Sequence, residues 1–98
     1  MTRPISFDLS GKTLVVTGAG RGIGRAIARV AADFGANLAL GSRRVEECAE
    51  VAALCREKGS RAKAWELDVA EEESVERFVE QAWTELDGVW CLVNNADL

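Results

Sequence analysis

Four glycines, Gly18, Gly20, Gly22 and Gly24, alternate with other residues in the segment Thr17-Gly18-Ala19-Gly20-Arg21-Gly22-Ile23-Gly24. Alternating glycines can bring backbone N–H groups up to an anion. Some positions of such a turn demand positive φ, and a missing Cβ lets a phosphate reach the main chain. The pattern is T-G-x-x-x-G-x-G. It is not G-x-G-x-x-G, because counting on from Gly18 and Gly20 puts Ile23 at the third glycine's place. No Lys-Ser or Lys-Thr follows, which excludes the phosphate loop of nucleotide hydrolases. Further along, Ser42 is followed by Arg43 and Arg44, whose guanidinium forks can make bidentate, charge-assisted bonds to phosphate.

These residues need elements to hold them. Lys12 to Thr17 is β-prone and almost unbroken in apolarity, as a strand buried on both faces requires. From Gly22 the period becomes helical through Ile23, Ile27, Val30, Ala31 and Phe34, which predicts a core stripe, and Gly35 is placed to end that helix. Asn37 to Gly41 reads as a second strand. Ser42 is then suited to cap a helix entered near Val45, with Val45, Cys48, Ala52 and Cys55 on one stripe and a stop at Gly59. Arg61 to Val69 reads as a third strand. Glu71, Glu72 and Glu73 open a third helix whose predicted core stripe is Val75, Phe78, Val79, Ala82, Trp83 and Leu86. Gly88 ends it, and Val89 to Val93 makes a fourth strand with apolar residues on both sides.

The order β-α-β-α-β-α-β implies right-handed crossovers and a parallel sheet with helices on both faces. The glycine turn then joins a buried strand to an amphipathic helix, which is where a dinucleotide pyrophosphate meets helix N-terminal amides. About 20 residues on, an NAD site places an acidic residue on the ribose hydroxyls. Ser42, Arg43 and Arg44 stand there instead, so a 2′-phosphate, and hence NADP rather than NAD, is favoured, with Arg21 able to close on the same group. The competing reading of these arginines is plain solvated surface charge.

The glycine segment, Asp68-Val69 after the third strand and Asn94-Asn95-Ala96 after the fourth resemble, in order and spacing, the N-terminal half of the short-chain dehydrogenase/reductase family. The resemblance covers essentially the whole chain. It implies an α/β fold, a Rossmann-type doubly wound parallel sheet of which residues 1–98 would be about the first half of one domain. It also implies that the glycine turn holds the pyrophosphate with Arg21 and Ile23 nearby. Asp68 would receive the adenine amino group and the Val69 amide the ring; Asn95 and Ala96 would line the adenosine ribose, and Asn94 would help hold the central strands. On the residues alone, Asp68 could instead cap the next helix, and Asn94-Asn95 could be an ordinary turn.

The chemistry implied is hydride transfer between nicotinamide and a carbonyl or alcohol, assisted by Ser, Tyr and Lys. This chain contains no Tyr and no His, so catalytic residues are expected outside it and the 98 residues alone are expected to be inactive. Asp97 replaces the family's usual glycine after Asn-Asn-Ala, and the chain is expected to be a fragment. A noncatalytic NADP-binding module is the alternative. A methyltransferase using S-adenosylmethionine is disfavoured, since Arg43 takes the place of an acidic ribose partner.

Composition bounds the rest. Lys and Arg number 12 against 16 Asp and Glu, a net charge of −4, which offers no basic field for nucleic acid. The three cysteines form neither a disulfide framework nor a C-x-x-C metal pair. No secretory signal or membrane-length apolar run is present, so the expectation is a cytoplasmic protein, homo-oligomeric at full length by the same resemblance.

Overall fold

The structure, a computed structural model, describes residues 8–95. Strands β1 (Thr13–Thr17), β2 (Asn37–Ser42), β3 (Ala62–Glu66) and β4 (Cys91–Val93) alternate with helices α1 (Gly22–Asp33), α2 (Val45–Glu57) and α3 (Glu72–Glu85). All pairings are parallel and the strand order is β3-β2-β1-β4. The strand order therefore reverses beside β1. In an open α/β sheet the crevice at the carboxyl ends of the strands flanking such a reversal is the ligand position.

Strand side chains alternate between two cores. Leu14 and Val16 of β1, Leu38 and Leu40 of β2 and Ala62 of β3 pack under α1 and α2. On the opposite face, Val15, Ala39 and Leu67 pack under Phe78 and Ala82 of α3 and under Leu86. Helices thus cover both faces, as the sequence predicts for a doubly wound sheet.

The buried face of α1 matches the predicted stripe only in part: Ala31 is buried and Ile27 and Phe34 pack against the core. Ile23 and Val30 are 71% and 50% exposed, and the residues against the sheet are Gly24, Ala28, Ala31 and Ala32. Small residues let the helix axis approach the strands closely, which turns the larger aliphatics to the flanks. In α3 the buried line is Ser74, Phe78 and Ala82, continued by Leu86, while Val79 and Trp83 are 47% and 60% exposed. The predicted stripe was therefore wider than the sheet it packs on. β3 stops at Glu66 rather than Val69 because the chain turns: Asp68 Oδ1 accepts the Ala70 N–H at 3.0 Å and Ser74 Oγ accepts the Asp68 N–H at 2.9 Å. β4 is shorter than predicted, and Trp90 and Leu92 are exposed.

The end of α3 also departs from expectation. The left-handed position after its C-cap is taken by Asp87 (φ 61°), one residue before Gly88, and the Gly88 N–H reaches back to Trp83 O at 3.0 Å. The exposed Arg61–Asp87 pair at 3.3 Å offsets little of that strain. Asp87→Gly is expected to stabilise the fold by about 0.5–1 kcal/mol, read as a rise in Tm.

Burial pushes the Cys48 and Cys55 thiols above their usual value of 9.0. Between the ordinary and raised values the folded chain holds more protons than the unfolded one. The contribution is therefore complete below the ordinary thiol value and is lost as pH rises through the raised one. Tm is expected to fall as the medium becomes alkaline, and to fall less in Cys55→Ala.

Candidate functional site

A groove of about 640 Å³ opens at the carboxyl ends of β1, β2 and β3. The β1–α1 turn contributes Gly18, Gly20 and Arg21; the β2–α2 connection contributes Ser42, Arg43 and Arg44, with Glu47 from α2. Leu67, Asp68, Val69 and Ala70 follow β3, and Asn95 follows β4.

The glycine turn is built from the backbone outward. Gly18 and Gly22 have positive φ (65° and 62°), the left-handed region that disfavours a side chain. The Gly18 N–H donates to Gly41 O at 2.8 Å, which pins the turn to β2. A Cβ on Gly24 would collide with Gly18 O and lie 2.7 Å from Asn95 Nδ2, so glycine alone fits where α1 passes under the turn. One on Gly20 would lie 2.6 Å from Glu47 Cβ, because the turn rests on the first turn of α2.

The N-terminus of α1 is electrostatically open. Its N-cap, Arg21, is extended and makes no side-chain capping bond, and the first turn contains no acidic residue. The positive end of the macrodipole is thus uncompensated from within the helix.

Asn95 ties the end of β4 to this turn. Its Nδ2 donates to Gly18 O at 3.2 Å, and its backbone N–H donates to Thr17 Oγ1 at 2.9 Å. Thr17 Oγ1 also lies 3.3 Å from Asn94 Oδ1, a bond that joins β1 to β4. Asn94 and Asn95 are therefore more than an ordinary turn. Asp68 is not the cap of α3, whose N-cap is Glu71; the Asp68 carboxylate braces its own turn through Ala70.

Of the residues singled out in the sequence, Gly18, Gly20, Arg21, Ser42, Arg43, Arg44, Asp68, Val69 and Asn95 share this one groove. Gly22 and Ile23 are exposed at the start of α1, Gly24 is buried beneath the turn, and Ala96 lies outside the described residues. Ser42 is not the N-cap of α2, a position held by Arg44; its hydroxyl instead accepts the Arg44 N–H at 3.1 Å. The geometry adds Glu47, Leu67 and Ala70 to the lining. Glu47 was legible only as an acidic residue at the positive end of a helix, a signal that says nothing of a groove.

Three guanidinium groups and two carboxylates line the groove, a local excess of +1 in a chain of net charge −4. Among the described residues, the ion pairs are Lys58–Asp33, Arg61–Asp87 and Lys63–Glu85. None of these involves Arg21, Arg43 or Arg44. Among the same residues no group of three or more His, Cys, Asp or Glu could hold a metal ion. No described helix is long and apolar enough to cross a membrane.

Residues 12–98 match the sequence model of the short chain dehydrogenase family. The chain belongs to that family. It is similar to nodulation protein G of Rhizobium sp. (strain N33), at 40% identity over 94% of this chain and 36% of that protein. Its fold is similar to that of a hydroxysteroid dehydrogenase from Escherichia coli (TM-score 0.89, 31% identity, 95% of this chain and 40% of that one). It is similar also to an alcohol dehydrogenase from the archaeon Thermococcus sibiricus complexed with 5-hydroxy-NADP (TM-score 0.79, 41% identity, 83% and 35%). The short-chain dehydrogenase chain thus spans little more than a third of the length of these relatives.

Proposed function

We propose that this chain is the NADP-binding segment of a short-chain oxidoreductase that moves a hydride between nicotinamide and a carbonyl or alcohol substrate. The observation that carries the reading is the convergence of Arg21, Arg43 and Arg44, none in an ion pair among the described residues, on a groove floored by a glycine turn. A 2′-phosphate supplies the dianion that such a cluster lacks, and guanidinium is the side chain best matched to it. The uncapped N-terminus of α1 suits the pyrophosphate, with Ile23 beside it. Asp68 and Val69 would face the adenine and Asn95 the ribose; Ala96, assigned to the ribose with it, lies outside the described residues. The bound coenzyme would supply the hydride, while this chain's residues hold its adenosine half. The free thiols of Cys48, Cys55 and Cys91 accord with a reducing compartment such as the cytoplasm.

Fluorescence titration of the intact protein with NADPH and NADH tests this. NADPH is expected to bind at least about tenfold more tightly, one charge-assisted contact being worth that much. Equal affinities would remove the arginines from coenzyme recognition. Glu47 adds negative charge to the same groove, so Glu47→Gln is expected to tighten NADPH about two- to fivefold while changing NADH less. A looser NADPH complex in that variant would show that Glu47 supports the site instead of opposing the phosphate.

A further inference from the structure

The Ser42 hydroxyl has one proton to give and two lone pairs to receive, and all three are engaged inside the protein. It donates to Arg44 O at 2.9 Å, accepts the Arg44 N–H at 3.1 Å and accepts the Cys48 S–H at 3.3 Å. Cys48 is fully buried on α2, and the Ala19 backbone N–H also bonds to its sulfur. This sulfur therefore joins the glycine turn to the connection that carries Arg43 and Arg44. The burial that raises its titration above the usual thiol range keeps it protonated at neutral pH, so it stays a donor.

Arg43 and Arg44 are exposed, and neither side chain takes part in an ion pair among the described residues. What orders them is the backbone that carries them. Beside the Ser42 hydroxyl, the Glu47 N–H donates to Arg44 O at 3.1 Å, at the start of α2.

We propose that Ser42, locked by Cys48, is a positioning residue for coenzyme selectivity: it touches no phosphate itself and instead holds the Arg43–Arg44 segment where a 2′-phosphate docks. This inference rests on the NADP reading given above and assigns the selectivity of that site in part to a buried thiol. Pre-ordering the segment lowers the cost of immobilising it on binding, an advantage for NADPH that NADH does not share.

The test measures NADPH and NADH dissociation constants in the intact protein, with Tm recorded for each variant. Ser42→Ala is expected to weaken NADPH about three- to tenfold, the worth of one or two neutral hydrogen bonds, while NADH changes less than about twofold. Ser42→Thr is expected to restore the wild-type ratio. Cys48→Ala, whose side chain cannot reach a phosphate, is expected to reproduce the selective loss, and Cys48→Ser, which keeps a donor, to spare it. Should Cys48→Ala fail to fold, Cys48→Val removes the donor while filling the space. A ratio shifted by Ser42→Ala but not by Cys48→Ala or Cys48→Val would mean that Ser42 binds phosphate directly, overturning the proposal. Equal weakening of both coenzymes would overturn it too, by reducing the network to a folding role. Wild-type protein with no preference for NADPH would instead refute the NADP reading, and this inference with it.

Discussion

Gly24→Ala is expected to destabilise the fold by about 3 kcal/mol and to abolish measurable coenzyme binding. The added Cβ would meet Gly18 O, come within 2.7 Å of Asn95 Nδ2 and within 3.0 Å of Gly18 C. These neighbours cannot yield cheaply. Gly18 is held to β2 by its N–H, and Asn95 is held to both Thr17 and Gly18, so relieving the clash means moving the turn or the end of β4. The turn is also the proposed phosphate cradle, so stability and affinity should fail together. Thermal unfolding with a coenzyme titration on the same sample checks this. A variant that melts like the wild type and binds coenzyme normally would mean that α1 does not pass under the turn as described.

Arg43→Asp is expected to reverse the coenzyme preference, with NADPH affinity falling about 100-fold or more and NADH affinity unchanged or improved. Two effects add. A charge-assisted contact worth about 1.5–3 kcal/mol is lost, and a carboxylate is placed against a dianion while gaining access to the ribose hydroxyls. Dissociation constants for both coenzymes, or KM values once a substrate is known, give the result. An unchanged ratio would leave Arg21 and Arg44 as the phosphate ligands and return Arg43 to ordinary surface charge.

What could be read in the sequence is what local chemistry dictates. The run Thr13 to Thr17 had to be a strand buried on both faces, and alternating glycines directly after it had to be a turn entering a helix. That combination located the groove, and nine of the residues chosen from sequence line it. The errors arose where three dimensions decide. In α1 the periodicity marked Ile23 and Val30, yet close approach selected Gly24, Ala28 and Ala32 beside the expected Ala31, because small side chains carry a weak hydropathy signal while controlling interaxial distance. In α3 the apolar stripe included Val79 and Trp83, but the sheet contacts only the line through Phe78 and Ala82. Asp87 takes the left-handed position after the cap of α3, one residue ahead of Gly88, which is itself at positive φ. Ser42 was expected to cap α2, whereas its hydroxyl is fully used by the backbone of Arg44, just before the helix, and by a thiol within it. Hydrogen bonds between residues six apart across a loop leave no periodic trace.

On the proposed reading the groups of this chain would face the adenosine half of the coenzyme, and the smallest ligand to reach them would be adenosine 2′,5′-bisphosphate. Isothermal titration of the intact protein with that compound and with adenosine 5′-monophosphate isolates the arginine cluster from everything else in the reaction. Saturable binding of the bisphosphate is expected, at least about tenfold tighter than the monophosphate and weakening as salt is raised. Indistinguishable isotherms for the two nucleotides would contradict it.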